Sequence, residues 1–154
     1  CVKIEGGKDK ANIIEHLTSN GIAVCAHIGL LPQSVRGEGG YKVKGKTNEE
    51  CLSLIADARA IEDAGAFCMV IEGVIAEVAQ EVAASVDIPV IGIGAGNKVD
   101  GQVLVFSDML GLFEAFTPKF VKKYIDGASL VKEAAKSYAG EVKVRDFPAT
   151  EHTY

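Results

Sequence analysis

Residues 66–74 read "AFCMVIEGV", a short apolar run rich in β-branched side chains that ends in a carboxylate and a glycine. The run does not alternate strictly, so it reads as a strand covered on both faces. Side chains two apart in a strand share a face, which groups Cys68 and Val70 with Glu72. A carboxylate in such a place costs desolvation energy unless it is paired or serves a site. Whether the pattern recurs decides the fold.

It recurs. "CVKIE" (1–5) ends on Lys3 and Glu5, and "IAVCAHIGL" (22–30) carries His27 near its end. Two further apolar runs follow, "IPVIGIGAG" (88–96) and "QVLVFSDML" (102–110). Between the runs lie helical patterns. Residues 9–20 place Ile13, Ile14 and Leu17 on one stripe, with Asp9 as an N-cap and Asn20-Gly21 as a stop. Residues 48–64 start with Thr47 and Glu50 spaced as a capping box and stop at Gly65. Residues 74–86 align Ile75, Val78, Ala79, Val82 and Val86, and the tail from 118 to 144 reads as two helices broken near Gly127.

Strand and helix alternate, which predicts an α/β fold of parallel strands joined by right-handed crossovers. An open doubly wound sheet and part of a (β/α)8 barrel both fit. The ionisable residues favour the barrel, because each sits at the C-terminal end of its strand, the rim on which barrel enzymes build their sites. Parity groups Cys1 with Lys3 and Glu5, and Ala23 and Cys25 with His27. The same count within "IPVIGIGAG" expects Val90, Gly92, Gly94 and Gly96 to face inward and leave room for a ligand. The long connection "LPQSVRGEGGYKVKGKT" (31–47) reads as a lid over the mouth. Gly37, Gly39 and Gly40 loosen it, and Arg36, Tyr41, Lys42 and Lys44 keep it polar.

Composition narrows the partners. The 154 residues are 48% hydrophobic and 24% charged with a net charge of -5, the balance of a globular domain with no basic field for nucleic acid or anionic lipid. No apolar run approaches the ~20 residues of a membrane span, and the start lacks the order of a signal peptide. Cys1, Cys25, Cys51 and Cys68 form no C-x-x-C pair, so they read as small buried thiols of a reducing, cytoplasmic compartment.

Each candidate also has a structural reading. Glu72 could be satisfied by a lysine of the next strand, His27 could be a hydrogen-bonded core histidine, and Lys3 and Glu5 a buried ion pair. His16 and His152 read as a solvated helix face and the tail. Four ionisable groups converging on one rim favour a site.

The strings "VKIEGG", "AHIGLLPQSV", "GGYKVKGKT", "EDAGAFCMVIEGV", "IPVIGIGAG", "DGQVLVFSDMLGL", "PKFVKKY" and "FPATEHTY" resemble, in order along the whole chain, the ketopantoate hydroxymethyltransferase family. The resemblance implies a (β/α)8 TIM barrel of the phosphoenolpyruvate/pyruvate superfamily. It implies transfer of a hydroxymethyl group from 5,10-methylenetetrahydrofolate to 3-methyl-2-oxobutanoate in pantothenate biosynthesis, with Mg2+ holding the 2-oxo acid. By motif, Lys3 is then the substrate-binding lysine, Glu5 a metal ligand, Glu72 the proton acceptor and His27 a pocket residue. A homodecamer is the implied assembly.

A complete barrel needs about 250 residues and eight strands. Five strands are counted here, so residues 1–154 are expected to be the C-terminal part of a single barrel. The family's first strands and its two metal-binding aspartates have no counterpart. Two other readings stand beside the transferase: an Mg2+-dependent carbon–carbon lyase of the same superfamily, and a non-catalytic half-barrel.

Overall fold

The computed structural model describes residues 1–37 and 39–154. These form two compact units, Cys1–Val103 and Leu104–Tyr154.

The first unit is a sheet of five parallel strands: β1 (Val2–Glu5), β2 (Val24–Gly29), β3 (Cys68–Glu72), β4 (Val90–Ile93) and β5 (Gly101–Gln102). Their spatial order is the chain order, β1-β2-β3-β4-β5. A doubly wound sheet reverses direction at a switch point, and this one does not. The order is that of consecutive units of a (β/α)8 barrel.

Helices α1 (Ala11–Ser19), α2 (Asn48–Asp63) and α3 (Ala76–Ala83) lie between successive strands. Their apolar stripes close the core: Ile14, Leu54, Ala58, Ile61, Ala79 and Val82 pack with Val24, Ala26, Met69, Ile71 and Val90. Burying each of the large side chains here stabilises the fold by roughly 1.5–3 kcal/mol. Val78 is buried on the α3 stripe, with Ile75 and Val86 at its margins.

Local signals explain most boundaries. Thr47 caps α2 by accepting the Glu50 N–H at 3.2 Å, while the Glu50 carboxylate accepts from Lys46 N at 2.6 Å. Gly65, at φ +87°, ends that helix in the left-handed region as expected. Asp9 is not the cap of α1: a 3-10 turn over Lys8–Lys10 precedes the helix, whose N-cap is Lys10, and Asp9 accepts the Gly7 N–H at 3.1 Å instead.

The fifth apolar run is mostly not strand. Pairing with β4 ends at Gln102, and Phe106–Met109 form the short helix α4 of the second unit. The tail also differs from expectation. Residues 118–126 are irregular, with a turn at 119–120 and a bend at 124–125, and one helix, α5 (Gly127–Val144), begins where a break between two helices was expected. Asp126 is its N-cap. The Asp126 carboxylate accepts from Ser129 N at 3.2 Å and Ser129 Oγ at 2.7 Å, which holds its pKa below the ordinary carboxylate value. Beyond α5 the tail folds back, with Phe147 5.4 Å from the Tyr138 ring and 5.1 Å from His152. Among the described residues no helix is long and apolar enough to cross a membrane.

Candidate active site

Paired residues of neighbouring parallel strands share a face, so the register shows which side chains meet. Lys3 pairs with Cys25 and Glu5 with His27; Cys25 pairs with Cys68, His27 with Val70 and Gly29 with Glu72. Lys3, Glu5, His27 and Glu72 therefore stand on the face away from the helices; Glu5 and Glu72 are the last residues of β1 and β3, His27 lies in the C-terminal half of β2, and Lys3 is the second residue of β1.

Their side chains converge. Lys3 Nζ lies 3.0 Å from His27 Nδ1 and 3.4 Å from Glu5 Oε1. His27 Nδ1 is 3.8 Å from Glu5 Oε1, and its Nε2 is 3.3 Å from Glu72 Oε2. His27 is 3% exposed, Glu5 9%, Glu72 16% and Lys3 49%. Both carboxylates and the imidazole are thus sheltered, with the ammonium at the open side.

An ammonium offers only donors, so at 3.0 Å Nδ1 accepts and the ring hydrogen sits on Nε2. That Nε2 approaches Glu72 without hydrogen-bond geometry and is the buried side-chain polar atom left without a partner among the described residues. Such an atom costs about 1–3 kcal/mol unless something else satisfies it. A small shift of Glu72, or a polar group placed beside the ring, could satisfy it.

Glu5 is also held by the backbone of the loop after β2. Its Oε2 accepts the Gln33 N–H at 3.1 Å. As a hard oxygen donor Glu5 suits Mg2+, which takes one or two carboxylates and completes its shell with water and substrate oxygens. Among the described residues no group of three or more His, Cys, Asp or Glu is placed to hold a metal.

The expected lid takes in Glu38, which lies outside the described residues. The rest of the connection starts with a 3-10 turn over Pro32–Ser34 and rejoins the sheet at Lys44. There Lys44 N donates to Gly73 O at 2.9 Å, and Lys44 O accepts from Ile75 N at 3.1 Å.

One sequence expectation is reversed. Val90 pairs with Met69 and Gly92 with Ile71, which places both on the helix side; Val90 is wholly buried in that core. Ile91 and Ile93, paired with Val70 and Glu72, take the face of the site. A Cβ on Gly92 would approach Val99 Cγ2 to 2.9 Å, so close packing on the helix side accounts for that glycine. The count within β4 had no ionisable residue to anchor it, and only pairing with β3 sets its phase.

Below the four groups, Cys25 and Cys68 sit side by side in register. Burial, with the neighbouring Cys25 thiol, pushes the Cys68 thiol up to about 11. All four cysteines are free; Cys51 is buried, Cys25 and Cys68 half-buried and Cys1 exposed.

Comparison with known proteins shows the family. The family profile described as ketopantoate hydroxymethyltransferase matches residues 1–150. A 3-methyl-2-oxobutanoate hydroxymethyltransferase of Sulfurimonas denitrificans is 79% identical over all 154 residues, which span 59% of its length. Enzymes of that name from Aliarcobacter butzleri and Wolinella succinogenes are 61% and 60% identical over the whole chain, which spans 57% and 59% of their lengths. The chain thus covers less than two thirds of each of these relatives.

Proposed function

The chain belongs to the ketopantoate hydroxymethyltransferase family, and from that premise we propose that it carries the proton-transfer half of a 3-methyl-2-oxobutanoate hydroxymethyltransferase site. The observation that supports this most directly is the convergence of Lys3, Glu5, His27 and Glu72 around a buried, unpartnered imidazole nitrogen.

The reaction removes a proton from the carbon beside a ketone and joins that carbon to the methylene carbon of 5,10-methylenetetrahydrofolate; the two C–N bonds of that methylene give way to the new C–C bond and to a C–O bond from water, and tetrahydrofolate leaves. Such a step needs a base at the carbon and positive charge near the oxygen that gains density. Glu72, sheltered beside the apolar Ile91 and Ile93, is the base: its carboxylate takes the C3 proton of the 2-oxo acid. Lys3, the exposed cation of the cluster, binds the substrate carboxylate. His27 presents its Nε2–H between them, where a substrate oxygen can accept it. Mg2+, when bound, supplies further positive charge to the substrate oxygens. Glu5 is the residue of this chain that would hold it, directly or through water; other donors come from the substrate and from the part of the relatives' length not spanned here. Closure of the five strands into a full barrel, assembly as a homodecamer and work in the cytoplasm belong to the same reading.

The test uses this chain completed to the relatives' length with the N-terminal portion of the Sulfurimonas denitrificans protein. In deuterated water with Mg2+, proton NMR should show loss of the C3 proton of 3-methyl-2-oxobutanoate, and Glu72→Gln should slow that loss by about 10²–10⁴-fold. Product should require methylenetetrahydrofolate. Absence of exchange in the unsubstituted protein overturns the proposal, and turnover of a single substrate without folate would replace it with a lyase.

A further inference from the structure

The turn that follows Glu5 is held from a distance. Gly6, at φ +127°, reverses the chain directly after the strand, and its N–H donates to His27 O at 2.9 Å. One residue on, Gly7 takes φ -101° and ψ -127°, outside the regions that residues with a Cβ ordinarily occupy. Packing against α2 is a second reason for a glycine there. A Cβ on Gly7 would fall 2.2 Å from Cγ of Asp57, a residue of α2 fifty positions away in sequence. The same carboxylate accepts the Lys8 N–H at 3.0 Å through Oδ1.

Asp57 is itself firmly placed, since its helix neighbours Leu54, Ala58 and Ile61 are all in the buried core. The backbone after Glu5 is therefore fixed at two points, on β2 through Gly6 and on α2 through Lys8. From this geometry we infer that Asp57 is a positioning residue for the site: it touches no substrate, and it sets the turn that aims Glu5 and Lys3. The inference rests on the functional reading above, in which those two residues meet the metal and the substrate carboxylate.

Outer partners that orient a metal ligand contribute on the order of 10–100-fold in affinity or activity. Asp57→Ala removes the acceptor from Lys8 N–H, whereas Asp57→Asn keeps an oxygen that can accept it. In the completed chain, calorimetric titration of Mg2+ in the presence of 3-methyl-2-oxobutanoate should show affinity weakened about tenfold in D57A, near the lower end of that range. D57N should recover most of it. The pH profile of C3-proton exchange should stay where it is in both, because Glu72 is on another strand. Hydrogen exchange of the Lys8 amide should quicken in D57A and return toward the unsubstituted rate in D57N.

Unchanged Mg2+ affinity in a folded D57A whose Lys8 amide has lost protection would overturn the inference while leaving the functional reading intact. So would a D57N no better than D57A. Loss of exchange activity in the unsubstituted protein would instead remove the functional reading, and this inference with it.

Discussion

Lys3 Nζ and His27 Nδ1 meet at 3.0 Å although they are not register partners; Lys3 is paired with Cys25, and His27 with Glu5. The lysine reaches forward along the barrel-facing side of the sheet and lies between the imidazole and the Glu5 carboxylate. Replacing it with Met keeps the stem and removes the charge. Lys3→Met should lower exchange activity by at least about a hundredfold, the cost of losing a preorganised donor. Nitrogen-15 NMR of the His27 ring should show the two nitrogens no longer locked in the Nε2–H form, and an unaltered ring spectrum would refute the lysine's role in setting the tautomer.

Gly29 stands at φ +91°, and a Cβ there would come within 2.4 Å of Glu72 O and 2.7 Å of Val74 Cγ2. Gly29→Ala should therefore cost more than about 2 kcal/mol and displace Glu72, combining backbone strain with collision against backbone. Gly21 makes a control, because its φ is +80° but nothing lies within 4 Å of the added carbon. Gly21→Ala should cost about 1 kcal/mol, the left-handed penalty alone. Chemical denaturation of both variants checks the difference.

Thr47→Ala removes the acceptor of the Glu50 N–H at the start of α2. The expected loss is about 1 kcal/mol, or a fall in Tm of about 2–4 °C for a chain of this size. Thr47→Ser should hold the Tm near that of the unsubstituted chain. Equal losses in the two would show that the methyl, not the hydroxyl, matters.

Cys68 titrates at about 11 instead of the ordinary 9.0, chiefly through burial, and burial also raises Cys51, with Glu81 beside it. Between pH 9.0 and about 11 the unfolded chain therefore releases thiol protons that the folded chain keeps. Unfolding free energy falls as pH rises through that window and is insensitive to these groups below it. Replacing Cys68 with Ser should flatten the slope measured by denaturant titration at a series of pH values. Alkylation offers a second check: at pH 8 Cys68 should react at least about a hundredfold more slowly than an ordinary free thiol, since the thiolate is the reacting form.

Much of this was legible because the chemistry-bearing residues announce their own phase. Glu72, His27, Lys3 and Glu5 each interrupt an apolar run at its C-terminal end, and parity around them gave the right face. In β4 the run contains only Val, Ile and Gly, which suit either face, and the inward side went to the glycines instead of Ile91 and Ile93. The apolar residues after Gln102 read as strand from β-branched content, yet the ladder with β4 stops at the Val103 N–H, which donates to Gly92 O at 3.0 Å, and α4 takes over at Phe106. Residues 118–126 have helical spacing, but Asp126 caps from just before Gly127, so the helix starts there. Asp57 and Gly7 were out of reach for another reason. Their link is tertiary, and no local pattern distinguishes that aspartate from any other on a helix.

The connection between β2 and α2 has both ends pinned beside the two carboxylates, through Gln33 N–H on Glu5 and through Lys44 on the backbone next to Glu72. For a loop with fixed ends, each doubling of length costs only about 0.6 kcal/mol. A reporter peptide or fluorophore inserted between the pins should be tolerated by the scaffold, with a Tm near that of the unsubstituted chain. Between these two anchors the chain therefore offers a place for an optical tag that leaves Lys3, Glu5, His27 and Glu72 unaltered.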